Sequence, residues 1–199
     1  MFAFWNAPDP QDDHQLRACE AALQFRDQPP QYMNNQQLIT RIGLHTGVAN
    51  VGNFGSTARV DYTALGENIN LAARMEGLNK YLGTEVLITQ DVFNGIQGRL
   101  DARFLGLFRL KGFERNVGVY ELVGKPDKTE SFRPLHEAFA AALKLFQEKK
   151  LADAETALQK VLEIKPNDGP SKFYLKHIAE LRDHLLPSDW SGEVELKEK

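Results

Sequence analysis

The sequence predicts an α+β fold with an antiparallel-rich sheet, on three observations. Short apolar runs bounded by Gly, Pro and Asn alternate with helix-period segments through residues 1–124, and this alternation suits strands and helices packed in layers. Gly124-Lys125-Pro126-Asp127 then breaks the pattern as a linker, spanning 125–132 in all. Beyond it, residues 133–187 read as a small C-terminal α-helical segment, and 188–199 as a polar tail.

The elements follow in order. Phe2 to Trp5 is an apolar run too short for a helix and is stopped by Asn6-Ala7-Pro8, so it reads as a strand lacking its beginning. Asp12 or Asp13 caps a helix to about Arg26, with Leu16, Cys19, Ala22 and Leu23 as its inner stripe; Pro29-Pro30 ends it. Leu38–Gly47 and Val48–Gly52 read as strands. A turn at Asn53-Phe54-Gly55-Ser56 leads to a further extended run, Arg59–Leu65. A helix over Glu67–Asn79, a strand at Glu85–Ile88, a short helix capped by Thr89 and strands near Phe104–Leu110 and Val117–Val123 complete residues 1–124. The tail gives helices at His136–Gln147, Leu151–Ile164 and Ser171–Leu186. Residues 188–199 are expected to be loosely ordered or pinned by Trp190.

Composition narrows the function. Apolar residues at 42% and charged residues at 26% match soluble globular chains. A net charge of -3 gives no electrostatic reason to expect nucleic acid as a partner. One cysteine, Cys19, forms no intramolecular disulfide and fits a reducing cytoplasm; its helical spacing with Leu16 and Leu23 marks it as packing. No run approaches the roughly 18 apolar residues of a membrane span.

Asn70 and Arg74 carry the candidate chemistry. Four residues apart on one helix, they are neighbours on one face. Ile69, Ala72 and Ala73 form one apolar group beside them and Leu71, Met75 and Leu78 another, which leaves the Asn/Arg stripe toward a cleft or interface. From spacing alone, N-x-x-x-R is common by chance and describes equally well a surface ion pair and a first-turn asparagine bonding its own backbone. Gly43 to Gly55 lacks the phosphate-loop pattern G-x-x-x-x-G-K-[ST] and reads as a hairpin. His45 lies between strand residues with no metal-spaced partner and reads as structural.

The run RIGLHTGVANVGNFGSTARVDYTALGENINLAARME (41–76) resembles the second half of a class III nucleotidyl cyclase catalytic domain. The resemblance covers roughly residues 1–123 and implies a ferredoxin-like, cyclase-type sheet with helices on one face. Gly66, Ile69, Asn70, Ala72 and Arg74 occupy the family's G-x-x-V/I-N-x-A-x-R helix motif. By that likeness Asn70 orients the ribose and Arg74 stabilises the transition state. Each role is physically sound: an amide holds the sugar in line, and a guanidinium offsets charge building on the α-phosphate. Thr63 falls at the base-reading position and favours ATP over GTP. Lys111 opens KGFERN where the family has KGK, and it is the candidate for the terminal phosphates, with Phe113 replacing the second lysine.

The likeness also implies Mg or Mn, held by two aspartates that family members carry upstream of the segment matching Met1–Trp5. Asp9, Asp12 and Asp13 do not match them, so the metal ligands are expected from a missing N-terminal segment or a partner chain. On that basis the chain is an N-terminally truncated adenylate cyclase unit, inactive alone and marginal in stability. Family members work as head-to-tail dimers, so a homodimer or a cyclase partner chain is implied. The stretch ALKLFQEKKLADAETALQKVLEIKPND resembles one tetratricopeptide repeat, with Ala152, Ala154 and Ala157 at its crossing, and offers a protein-docking surface. Members with such a tail often carry membrane helices upstream, so a longer product is expected to be membrane-anchored. The rival readings are a non-catalytic cyclase-like regulatory or interaction module and, with less support, a plain scaffold.

Overall fold

A computed structural model describes residues 1–56, 59–182 and 185–196. Its main sheet has five strands in the order β3 (Ile42–Leu44), β6 (Val86–Thr89), β8 (Val117–Gly124), β7 (Asp101–Arg109), β9 (Glu193–Glu195). β3 runs parallel to β6 and β9 parallel to β7, while β8 is antiparallel to both its neighbours. The sheet is therefore mixed, within an α+β architecture.

Helices cover both faces rather than the one expected. The central strands dictate this by being apolar on both sides: Val86 and Ile88 face one cluster while Leu87 between them faces the other. α1 (His14–Arg26) and α3 (Gln90–Ile96) cover the first face through Cys19, Leu23, Val92 and Ile96. α2 (Glu67–Leu82) lies on the second. Asp13 precedes α1 as foreseen, but its carboxylate binds Arg17 rather than capping the helix.

The second face is shared with the C-terminal helices. Pro126–Thr129 forms a one-turn helix, α4, where a linker was expected. α5 (Arg133–Gln147), α6 (Leu151–Ile164) and α7 (Gly169–Leu181) follow. Phe139, Leu143, Phe146, Leu158, Val161, Tyr174 and Ile178 join Leu71, Met75, Leu105 and Phe108 in one continuous core. The Tyr174 hydroxyl donates to Leu105 O at 2.7 Å, which satisfies the one polar group that this fully buried ring brings in. Ala154 is buried and Ala157 partly so at the helix crossing, whereas Ala152 faces solvent. Within the described residues 188–196 the C-terminal stretch is pinned: Trp190 packs edge-on against Phe146, and Val194 on β9 is fully buried beside β7.

Four local expectations need correction. Phe2–Trp5 forms no strand; the Phe4 ring lies against those of Phe2 and Tyr62. A small hairpin, β1 (Gln31–Met33) and β2 (Gln36–Leu38), precedes β3, because Asn34 and Asn35 take the positive φ values of a two-residue turn. The Asn53–Ser56 stretch is strand, not turn: β4 (Asn50–Ser56) pairs with β5 (Arg59–Leu65) in register from Asn50↔Leu65 to Ser56↔Arg59. Its connection lies outside the described residues. The expected helix Ser171–Leu186 ends at Leu181, with residues 183–184 also outside the description.

Candidate active site

The predicted site stands on α2, and local backbone chemistry sets where that helix begins and ends. Gly66, at φ +145°, turns the chain out of β5, an angle that residues with a side chain rarely adopt. Gly83 closes the helix in the left-handed conformation. Between them Leu71, Met75, Leu78 and Leu82 bury one face. Asn79 is buried with them and donates to Ile42 O at 3.0 Å, tying the helix to β3.

Asn70 and Arg74 lie exposed on the flank of that buried face. Of the two apolar groups read from the sequence, Leu71/Met75/Leu78 is core, whereas Ala73 is exposed and Ile69 and Ala72 are half-buried. A helix held on one side and open on the other can present a polar pair without distorting its packing. Thr63 is half-buried on β5, opposite Gly52. Lys111 is exposed in the turn after β7.

Strand ends bring Lys111 and the start of α2 toward one end of the sheet, whereas Thr63 lies on the separate β4–β5 pair and residues 72–76 of α2 lie over Gly43 in β3. β3 ends beside Ile88, and Thr89 at the end of β6 pairs with Val119 near the start of β8. The 45–49 loop, the start of α3 and the 110–116 loop with Lys111 therefore gather together. His45 joins the start of α2 to that end. Asn68 Nδ2 donates to Val48 O at 2.7 Å, so its Oδ1 accepts from His45 Nε2 at 3.0 Å. His45 Nδ1 is then left to accept from the Thr89 hydroxyl at 2.9 Å. Burial lowers the His45 pKa, which keeps the ring in the neutral form this arrangement needs. Sequence reasoning gave His45 a structural role and passed over Asn68; a polar first-turn residue facing a Gly-containing loop was the available signal.

Among the described residues, no group of three or more His, Cys, Asp and Glu side chains is arranged to hold a metal ion. No helix among them is long and apolar enough to cross a membrane.

Residues 2–124 match the family described as the adenylate and guanylate cyclase catalytic domain, and the chain belongs to that family. Adenylate cyclase 1 of Rhizobium meliloti (strain 1021) is 37% identical over 130 residues, 62% of this chain and 20% of that protein. The terminal-differentiation specific adenylate cyclase of Dictyostelium discoideum is 30% identical over 142 residues, 69% of this chain and 7% of that one. The chain thus spans at most a fifth of either relative's length. The guanylate cyclase domain of RhGC from Catenaria anguillulae, solved in complex with GTP, aligns at TM-score 0.50 and 24% identity over 60% of this chain and 65% of that one. At that identity the likeness speaks for the fold alone.

Proposed function

We propose that this chain forms part of an adenylate cyclase unit in signal transduction, converting ATP to cAMP and pyrophosphate. The ribose 3′-hydroxyl gives up its proton to solvent as its oxygen bonds to the α-phosphorus, the bond from that phosphorus to the bridging oxygen breaks, and pyrophosphate leaves with those electrons. Asn70 holds the ribose for in-line attack, and Arg74 stabilises the charge on the α-phosphate oxygens. Thr63 contacts the adenine edge, and Lys111 serves the terminal phosphates. The observation that carries this reading is α2 itself: a family-motif helix buried on one side, with Asn70 and Arg74 exposed beside the buried face.

In this reading the site lies at a dimer interface. The Mg or Mn ligands come from a partner chain or another segment of a longer polypeptide, and this chain alone gives no turnover. The relatives named as adenylate cyclases, together with Thr63, support ATP over GTP. The test mixes this chain with a cyclase chain that keeps its metal carboxylates but lacks its own Asn and Arg, and follows cAMP formation from Mn-ATP. Activity on mixing that Arg74→Ala abolishes is the expected result. Association without activity would replace this reading with that of a non-catalytic module.

A further inference from the structure

The C-terminal end of α2 does not end in solvent. Gly169, the first residue of α7, is so close that a Cβ placed on it would fall 2.3 Å from Leu82 O and 2.8 Å from the Gly83 Cα. The start of one helix thus presses on the last turn of the other, an arrangement their opposed terminal partial charges favour. The corner preceding α7 is anchored as well. Asp168, with no exposed surface, accepts from Ser171 N and Oγ at 3.1 and 2.7 Å and pairs with Arg103 of β7 at 2.9 Å. Arg103, 3% exposed, also holds Glu121 of β8 at 2.6 Å and lies over the Phe139 ring.

We propose that the α6–α7 corner is a stop that seats α2, making Asp168 and Gly169 positioning residues for Asn70 and Arg74. The proposal rests on the reading of α2 as the catalytic helix. The corner cannot retreat, because two strands hold Asp168 through Arg103. α2 cannot slide toward it, because backbone already touches backbone. Arg74 lies about 13 Å and Asn70 about 20 Å up the helix from Gly83, at 1.5 Å per residue. A continuous helix carries a displacement at one end to the other, and a misplacement of about 1 Å far from the chemistry can cost about 10²-fold in rate. The helical tail is thereby wired to the catalytic face although it lies behind it.

Three variants test this. Gly169→Ala forces the helices apart. Asp168→Asn keeps the cap on α7 but weakens the hold of Arg103. Gly77→Ala places a methyl on α2 where nothing lies within 4 Å and is the control. Amide hydrogen exchange is followed across residues 67–82 in the full chain, and kcat and KM for cAMP formation in the mixed assay. The expected result is faster exchange at 67–74 and a kcat at least about tenfold lower, with KM little changed, for Gly169→Ala and Asp168→Asn but not Gly77→Ala. Exchange changes confined to residues next to the corner would overturn the stop, as would normal kcat in either variant. If Gly169→Ala does not fold, Asp168→Asn decides. If the wild-type mixture makes no cAMP, the catalytic reading fails, and exchange at 67–74 still decides whether the corner seats α2.

Discussion

The two sides of α2 have been built to opposite specifications. Behind it, Leu71, Met75 and Leu78 enter a core that runs through β7 to α5, α6 and α7, closed by Trp190 and Val194. In front, Asn70 and Arg74 are exposed, and the β4–β5 hairpin carries Val60, Tyr62 and Leu65 in the open at 58%, 49% and 48%. The front thus leaves apolar and polar side chains open to solvent, whereas the rear buries its own apolar side chains. Substitutions behind should therefore cost stability, and substitutions in front should cost activity.

Phe146→Ala has the largest expected effect. The ring is fully buried and touches both Tyr174 and Trp190 edge-on, so its loss should destabilise by about 3–5 kcal/mol. Chemical denaturation would show this as a lowered midpoint. A midpoint within the error of wild type would mean the tail does not share the core, and the contrast would collapse.

Arg74→Ala tests the front. A donor acting on transition-state charge is worth about 10²–10³ in kcat, while an exposed side chain away from the core changes stability by about 0.5 kcal/mol or less. Activity in the mixed assay should fall to that extent while the melting midpoint stays put. A large loss of stability would reassign Arg74 to a structural ion pair.

Thr63→Ala is expected to act more gently. Losing one hydroxyl contact to the base corresponds to about 1 kcal/mol, or roughly a fivefold weaker preference for ATP over GTP. Comparison of kcat/KM for the two nucleotides would reveal it, and an unchanged ratio would remove Thr63 from base recognition.

The same contrast explains what the sequence made legible. α1, α2 and α6 follow from periodicity, because each buries one consistent face, while β7 and β8 read as apolar runs bounded by turn residues. The 41–76 motif pointed to the family because several residue types recur there at fixed spacing. Three things were hidden. That the sheet is covered on both faces depends on which strand neighbours which, and β6 is too short for its pattern to show it. β9 was masked by polar composition, since only Val194 needs to be buried for Glu193–Glu195 to pair with β7. The Asp168–Arg103–Glu121 cluster joins residues 65 and 18 positions apart, a separation at which no local pattern operates.

The gentlest probe is pH, and it acts on both sides of α2 with a definite sign. Burial depresses His45 in front, and His136 and His177 in the tail, below the ordinary 6.5, with the Arg103 charge adding to the effect at His136. A histidine kept neutral by the fold takes up its proton first in the unfolded chain. Its contribution is therefore intact above pH 6.5 and is lost as pH falls from there through the lower folded value. Asp168 behaves differently. Burial works to raise its carboxyl, but Arg103 and Ser171 outweigh that and hold it below 3.8, so its contribution survives until much lower pH. Acidification from pH 7.5 to 5 should thus lower the melting temperature through the histidines while the Asp168 anchor still holds. His45→Gln should remove part of that slope, and His136→Gln with His177→Gln more of it. A slope unchanged in both variants would show that these rings titrate alike folded and unfolded, and that burial around them is looser on both sides of the helix.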